Sequence, residues 1–203
     1  GTIKEGDVVI FGSYFAINPK VRTCVYELLR KARDVGAIIY YDVNFRASHL
    51  KDLPQVFPSI IENMRLSTVV RGSHEDFSLL FNEEEAVEVY ERHIRPYCDT
   101  FIYTDADKPV QVFTPSYHAL VDAAKIETVS TIGAGDNFNA GFCYGLFCKG
   151  IGSQGKLVEV DESMMKELVT VGQRFSSAVC QSFDNYVSLE FGLRERRLNK
   201  LCE

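Results

Sequence analysis

Val8-Val9-Ile10-Phe11 and Ile38-Ile39-Tyr40-Tyr41, with Val21, Cys24, Val25, Leu28, Leu29 and Ala32 between them, decide the fold class. The outer runs are short, apolar and rich in β-branched and aromatic residues, whereas the residues between them recur at helical spacing. Asn18-Pro19 reads as an N-cap with proline at the first helical position, and Gly36 as the helix stop. A strand that is apolar at every position is buried on both faces, the pattern of a parallel sheet. Strand, helix and parallel strand together make a right-handed crossover unit.

Outward from this unit the alternation continues. Asp52 to Met64 reads as a helix with Val56, Ile60 and Ile61 inward, Thr68-Val69-Val70 as a strand, and Ser73 as the cap of a short helix. Glu83 to Arg95 reads as an acidic helix, and Thr100 to Tyr103 and Val110 to Phe113 as strands paired through the Asp107-Lys108-Pro109 turn. Ala134 to Lys149 and Asp161 to Gln181 read as long helices around the Gly150–Gly155 loop, and Ser188 to Leu201 as a terminal helix. Alternating strands and helices predict an open α/β sheet covered on both faces. The chain has 203 residues, with no internal repeat or low-complexity linker. Against about 150 residues per domain, that predicts a single domain over residues 1–203.

Composition narrows the function classes. Lys plus Arg is 22 and Asp plus Glu is 28, a formal charge of −6, so the chain lacks the cationic surplus that a nucleic-acid binder uses against phosphates. No apolar run approaches the roughly 20 residues of a membrane-spanning helix, and no basic flank or small-residue cleavage site marks a signal peptide near the start. The six cysteines (Cys24, Cys98, Cys143, Cys148, Cys180 and Cys202) form no C-x-x-C pair. Reduced thiols and a cytoplasmic location are therefore expected, without a zinc site.

Chemistry concentrates in Val129-Ser130-Thr131-Ile132-Gly133-Ala134-Gly135-Asp136-Asn137-Phe138, a small-residue turn leading into an apolar helix. Glycines let such a turn approach a ligand closely, and the free N–H groups of the helix's first turn make an anion hole suited to a phosphoryl group. A carboxylate there is a poor phosphate ligand. Asp136 makes chemical sense either as the base that takes a proton from an attacking hydroxyl or as a helix N-terminal acid worth about 0.3–1 kcal/mol. No Lys-Ser or Lys-Thr follows, so the segment is not a Walker A loop. Phe138 occupies the place of the third glycine of a dinucleotide fingerprint, which disfavours an oxidoreductase.

Thr131 to Phe138, with Ala140-Gly141-Phe142, resembles the C-terminal signature of ribokinase-like (PfkB-type) carbohydrate kinases, commonly D-T-T-G-A-G-D-x-F-x-A-G-F. Upstream, Asp42-Val43-Asn44-Phe45-Arg46 resembles the D-x-N-x-R of fructokinases. Val70-Arg71-Gly72-Ser73-His74-Glu75-Asp76-Phe77 takes the place of the family's strand and N-x-x-E-E-F, with Ser73 for its Asn and Asp76 for its Glu. Asn82-Glu83-Glu84-Glu85 spells that motif too but falls one helix late. Phe101 to Pro109 takes the place of the strand and T-x-G-x-x-G, with Ala106 and Pro109 replacing both glycines. Ser130 and Ile132 stand where many members carry Asp and Thr, so potassium activation is not expected. The family's early G-G-x-x-x-N segment, substrate aspartate and β lid have no counterpart, so the chain is similar to the C-terminal two-thirds of such a kinase. By itself it is expected to have little sugar kinase activity.

The resemblance implies a three-layer α/β/α ribokinase-like (Rossmann-like) open sheet, mostly parallel. It also implies a cytoplasmic kinase that uses ATP and Mg2+ to phosphorylate a sugar hydroxyl, fructose being the preferred acceptor. Asp136 would be the base in a catalytic loop formed with Gly133, Ala134 and Gly135, and the amides of Ala134, Gly135 and Asp136 would hold the transferred group. Asn44 and Arg46 would bind substrate and phosphate. Ser73, Thr104, Gly133, Gly135 and Gln173 would line the nucleotide site, and Asp76 would act indirectly on the metal. Arg71 has no counterpart in the resemblance and is expected to matter less than Arg46. Partners would be a sugar and ATP, with no nucleic acid and no membrane, and complete proteins of this type can pair as homodimers. A nucleoside kinase and a non-catalytic nucleotide-binding module remain the alternatives.

Overall fold

The computed structural model describes residues 2–198, whose contacts gather into two compact units. The first holds the chain as far as Leu120 together with Gly152–Glu159, and the second holds Val121–Ile151 and the chain from Val160 onward.

In the first unit the strands β1 (Val8–Gly12), β2 (Ile38–Asp42), β3 (Val69–Ser73) and β4 (Thr100–Thr104) lie parallel in chain order. β5 (Val110–Phe113) returns antiparallel to β4, and β6 (His118–Val121), not anticipated from the sequence, forms the far edge. The result is a six-stranded, mostly parallel open sheet. Each parallel step moves in the same direction, so right-handed crossovers place the connecting helices on one face. These are α1 (Ser13–Ile17), α2 (Arg22–Asp34), α3 (Leu53–Leu66), α4 (His74–Phe81) and α5 (Ala86–Val89). Tyr41, Val70, Phe101, Tyr103 and Phe113 point into this layer and pack with Val56, Ile60, Met64, Phe77, Tyr90 and Ile94. Ile38, Tyr40, Val69, Ile102 and Val112 on the opposite face are buried as well.

Local chemistry moves several boundaries. Asn18-Pro19 does not cap α2. The Asn18 side chain accepts from Lys20 N at 3.0 Å and its carbonyl from Val21 N at 3.1 Å, a turn that delays the helix to Arg22. Arg22 then ties the layer together, donating to Glu62, to Asn63 at 2.6 Å and to the Ala16 carbonyl at 3.1 Å. α2 stops as expected, with Gly36 at φ +75° and Ala37 N donating to Ala32 O at 3.0 Å. The acidic helix begins only at Ala86, because Asn82 ends α4 in the left-handed conformation (φ 54°), and it closes in a π turn over Tyr90–Ile94. Glu83 pairs with Arg92, a surface role for the motif-like Asn82–Glu85 run. Within the glycine-rich loop α7 (Gln154–Val158) forms, and Gln154 Nε2 donates to Ala37 O at 2.9 Å.

The second unit is built on α6 (Ala134–Cys148) and α8 (Glu162–Cys180), with α9 (Leu189–Leu198) beside them. Asp161 caps α8 by accepting from Met164 N at 2.8 Å. The terminal helix starts one residue later than expected, and positions 199–201 and Cys202 lie outside the described residues. The five described cysteines are free, and burial pushes the Cys98 thiol up to about 12. No helix among the described residues is long and apolar enough to cross a membrane.

Helices α6 and α8 meet at Gly141 and Gly172. A Cβ on Gly141 would lie 2.8 Å from Phe175 Cγ and 2.9 Å from the Gly172 Cα, one of them backbone that cannot swing aside. Gly141→Val should therefore destabilise the second unit by at least the roughly 1–3 kcal/mol typical of overpacking. Urea denaturation followed by fluorescence or circular dichroism checks this.

Candidate active site

In the second unit the loop before α6 is held from behind. Val129 N and Ser130 N donate to Cys180 O at 2.8 and 3.2 Å, and Ile132 N donates to the Ser130 hydroxyl at 3.2 Å. Gly133 then takes φ +79°, a left-handed conformation that suits glycine, and turns the chain into the helix. Asn137, one turn on, donates from Nδ2 to Gly133 O at 2.9 Å and to Asn185 O at 3.0 Å. A Cβ on Gly133 would lie 3.1 Å from that same Asn185 carbonyl, so the Ser182–Tyr186 segment lies against the loop.

One expected donor is already engaged. Ala134 N donates to Thr131 O at 3.2 Å, so Ala134 is not one of the free amides of the anion hole. The amides of Gly135 and Asp136, in the first turn of a 15-residue helix, have no backbone acceptor among the described residues. They stand at the positive end of the helix dipole, with the Asp136 side chain exposed beside them. Gln173 is placed otherwise than as a free nucleotide contact: its Nε2 donates to Val121 O and Asp122 O, both at 3.1 Å.

In the first unit the carboxyl ends of β2, β3 and β4 converge, and the parallel register sets Asp42 beside Arg71 and Ser73 beside Thr104. Ligands of open α/β sheets bind at such ends. Arg71 is buried, donates from Nη1 to Asp42 Oδ1 at 3.0 Å and from Nη2 to Thr104 Oγ1 at 2.8 Å. Burial disfavours its charge, but Asp42, through its charge and its hydrogen bond, together with Tyr40 and Asp76, holds the guanidinium above its ordinary pKa. The Thr104 hydroxyl also donates to Gly72 O at 3.4 Å, so it is occupied within the sheet.

Ser73 and Asp76 form a reciprocal capping box at the start of α4. Asp76 Oδ2 accepts from Ser73 N at 2.6 Å and from the Ser73 hydroxyl at 2.7 Å, while Oδ1 accepts from Phe45 N at 2.6 Å. Burial pushes the Asp76 carboxyl above its ordinary pKa, opposed by the Ser73 hydrogen bonds and by the Arg71 charge. Both oxygens are bound to protein donors and the side chain is buried, so Asp76 ties the start of α4 to the Phe45 backbone. Nor does any group of three or more His, Cys, Asp or Glu suited to a metal occur among the described residues. Magnesium bound through nucleotide phosphates and water needs no such cage and would enter as part of the substrate. Asn44 is half-buried at φ +39°, and Arg46 is exposed just after it.

Two functional candidates escaped sequence reading. Arg71 carried a usable signal, since a cation inside the run Val69-Val70-Arg71-Gly72 of a doubly buried strand requires a partner, and Asp42 ends the neighbouring strand. Asn137 occupies a variable position of the signature, and its bridge to Asn185 depends on a contact 48 residues away.

A profile of the pfkB family carbohydrate kinases matches residues 1–190, and the chain belongs to that family. Its curated relatives include a probable fructokinase-5 from Arabidopsis thaliana, 24% identical over 179 residues that cover 88% of this chain and 53% of that protein. A fructokinase from Vibrio alginolyticus is 23% identical over 141 residues, covering 70% of this chain and 46% of that protein. The chain thus spans about half the length of these relatives. Aminoimidazole riboside kinase from Salmonella enterica, solved with aminoimidazole riboside and an ATP analog, superposes with a TM-score of 0.79 at 17% identity, covering 95% of this chain and 64% of that one. Fructokinase from Vibrio cholerae O395, solved with fructose, ADP and calcium, also gives 0.79 at 17% identity, covering 91% and 58%. At these identities the likeness establishes the ribokinase-like α/β fold.

Proposed function

We propose that the protein transfers the terminal phosphoryl group of MgATP to a hydroxyl of a sugar, with fructose the preferred acceptor. The observation that carries this reading is the loop at Gly133–Asp136. Two amides without a backbone acceptor and an exposed carboxylate share one helical turn, directly after a left-handed glycine. Such amides suit the charge on a transferred phosphoryl group, and a carboxylate beside them suits the proton that the acceptor hydroxyl must lose. As the acceptor oxygen bonds to phosphorus, its proton passes to Asp136, the bond to the bridging oxygen breaks and ADP leaves. Magnesium, arriving with the nucleotide, neutralises charge on the phosphates. Asn44 would orient the acceptor, and Arg46 would steady the transferring group.

A nucleoside kinase is the second reading, favoured by the equal TM-scores to a riboside kinase and a fructokinase. The replaced Ala106 and Pro109 favour a nucleotide-binding module without turnover. Calorimetry of the full-length protein with MgATP, with and without fructose, run beside an ADP-release assay, separates these. Sugar-dependent ADP release supports the kinase, and nucleotide binding without turnover opposes it. An ATP-consuming enzyme with free thiols fits the cytoplasm, and a homodimer of the full-length protein is part of this reading.

Arg46→Ala should lower kcat/KM for the sugar about 10- to 100-fold, the equivalent of a lost charged hydrogen bond of about 1.5–3 kcal/mol. Lys51→Ala, an exposed cation in the turn that follows, should leave it unchanged. Steady-state kinetics on both variants checks the assignment, which equal effects would contradict.

A further inference from the structure

The backbone around Asn44 is gripped from both sides by β3 and α4. On one side Val43 N donates to the Arg71 carbonyl at 2.9 Å, and the preceding Asp42 is paired with the Arg71 guanidinium. On the other side Phe45 N donates to Asp76 Oδ1 at 2.6 Å, and Asp76 is itself fixed by Ser73. Asn44, between them, sits at φ +39°, a left-handed conformation that asparagine tolerates better than most residues and that the bonds on either side restrain. Arg71 is anchored in turn by Thr104 on the next strand.

We infer that Asp76 and Arg71 are positioning residues: together they hold Asn44 in a left-handed backbone conformation and so present its side chain to the acceptor sugar at the carboxyl edge of the sheet. This rests on the reading of Asn44 as an acceptor contact. It gives Asp76 a task in acceptor binding, whereas the resemblance implies one towards the metal. A misplacement of about 1 Å in a positioning element can cost about 100-fold in rate, so the grip has kinetic consequences.

The test is Asp76→Asn in the full-length protein. Asparagine has one oxygen and one NH2, so at either Phe45 N or Ser73 N a donor faces a donor. Expected are faster hydrogen exchange at the Phe45 amide, by about 10-fold or more, and a fall of about 100-fold in kcat/KM for the sugar. The KM for MgATP and the magnesium dependence should stay as in the wild type. Recovery of activity at raised magnesium would assign Asp76 to the metal and overturn the inference, as would unchanged Phe45 exchange with unchanged sugar kinetics. If the wild type turns over no sugar, the kinase reading fails by itself, while exchange at Phe45 still decides whether Asp76 holds the Asn44 backbone. Should the variant not fold, Arg71→Lys keeps the charge opposite Asp42 but cannot reach Thr104 as well. It should lower sugar kcat/KM at unchanged MgATP KM, and equal loss for both substrates would overturn the inference.

Discussion

Asp136→Asn should lower the turnover rate of the full-length protein by about 10²–10⁴ while leaving its affinity for MgATP almost unchanged. The substitution keeps the shape of the side chain and removes its capacity to take a proton. Asp136 is exposed, in the first turn of α6, and its amide and that of Gly135 remain in place whichever side chain follows. An aspartate there for the helix alone would contribute only about 0.3–1 kcal/mol through the dipole, and asparagine is well tolerated near helix N-termini. The two roles thus differ by orders of magnitude in rate and hardly at all in melting temperature. A coupled ADP assay and a thermal melt on one preparation separate them. Near wild-type turnover in a normally folded variant would remove Asp136 as the base.

Arg71→Ala should cost about 3–5 kcal/mol of stability, the range observed when one partner of a buried pair is removed. Arg71 and Asp42 retain only 8% and 7% of their exposure, so the variant leaves the Asp42 carboxylate buried without its counterion. The Thr104 hydroxyl loses the Arg71 donor in the same step, while the Val43 amide keeps the residue-71 carbonyl. Urea denaturation of the wild type and the variant measures the difference, and a shift below about 1 kcal/mol would show that the pair is solvated and weak. The family pattern ranks Arg71 below Arg46 for turnover, and it is the buried pair with Asp42 that gives Arg71 its weight in stability. The exposed Arg46 should affect kinetics with little effect on stability, whereas Arg71 should affect both.

The contrast shows what kind of information a single sequence carries. The parallel strands were legible because Ile38–Tyr41 and Thr100–Tyr103 are apolar at nearly every position, a requirement imposed locally by burial on both faces, and Val8–Phe11 carries the same apolar run although it is only partly buried. The stop of α2 at Gly36 and the cap at Ser73 were legible for the same reason, since each is the work of one residue on its neighbours. The antiparallel return of β5 could be read from its short turn. Elements without a strong local signal were not. β6 is four residues long with two of them exposed, and α1 and α7 are five-residue helices beside glycines. Asn18-Pro19 misled because an asparagine followed by proline serves a turn as readily as a helix start.

For the candidate site, the loop around Gly133 and Asp136 stood out because its chemistry lies within one contiguous segment. What each polar group is bound to could not be read in that way. Ala134 N turned out to be spent on Thr131, Gln173 on Val121 and Asp122, and Asp76 on Ser73 and Phe45. Partners at separations of 31 and 52 residues, such as Phe45 with Asp76 and Val121 with Gln173, are set by the folded sheet and helices, not by neighbours in the chain.

The central claim, phosphoryl transfer from MgATP to a sugar hydroxyl, is tested most directly by identifying the product. Full-length protein incubated with MgATP and an equimolar mixture of fructose, ribose and a nucleoside, followed by mass spectrometry and phosphorus NMR, should yield ADP and a fructose monophosphate in equal amounts. Formation of a nucleoside monophosphate alone, or ADP without any phosphorylated acceptor, would contradict it.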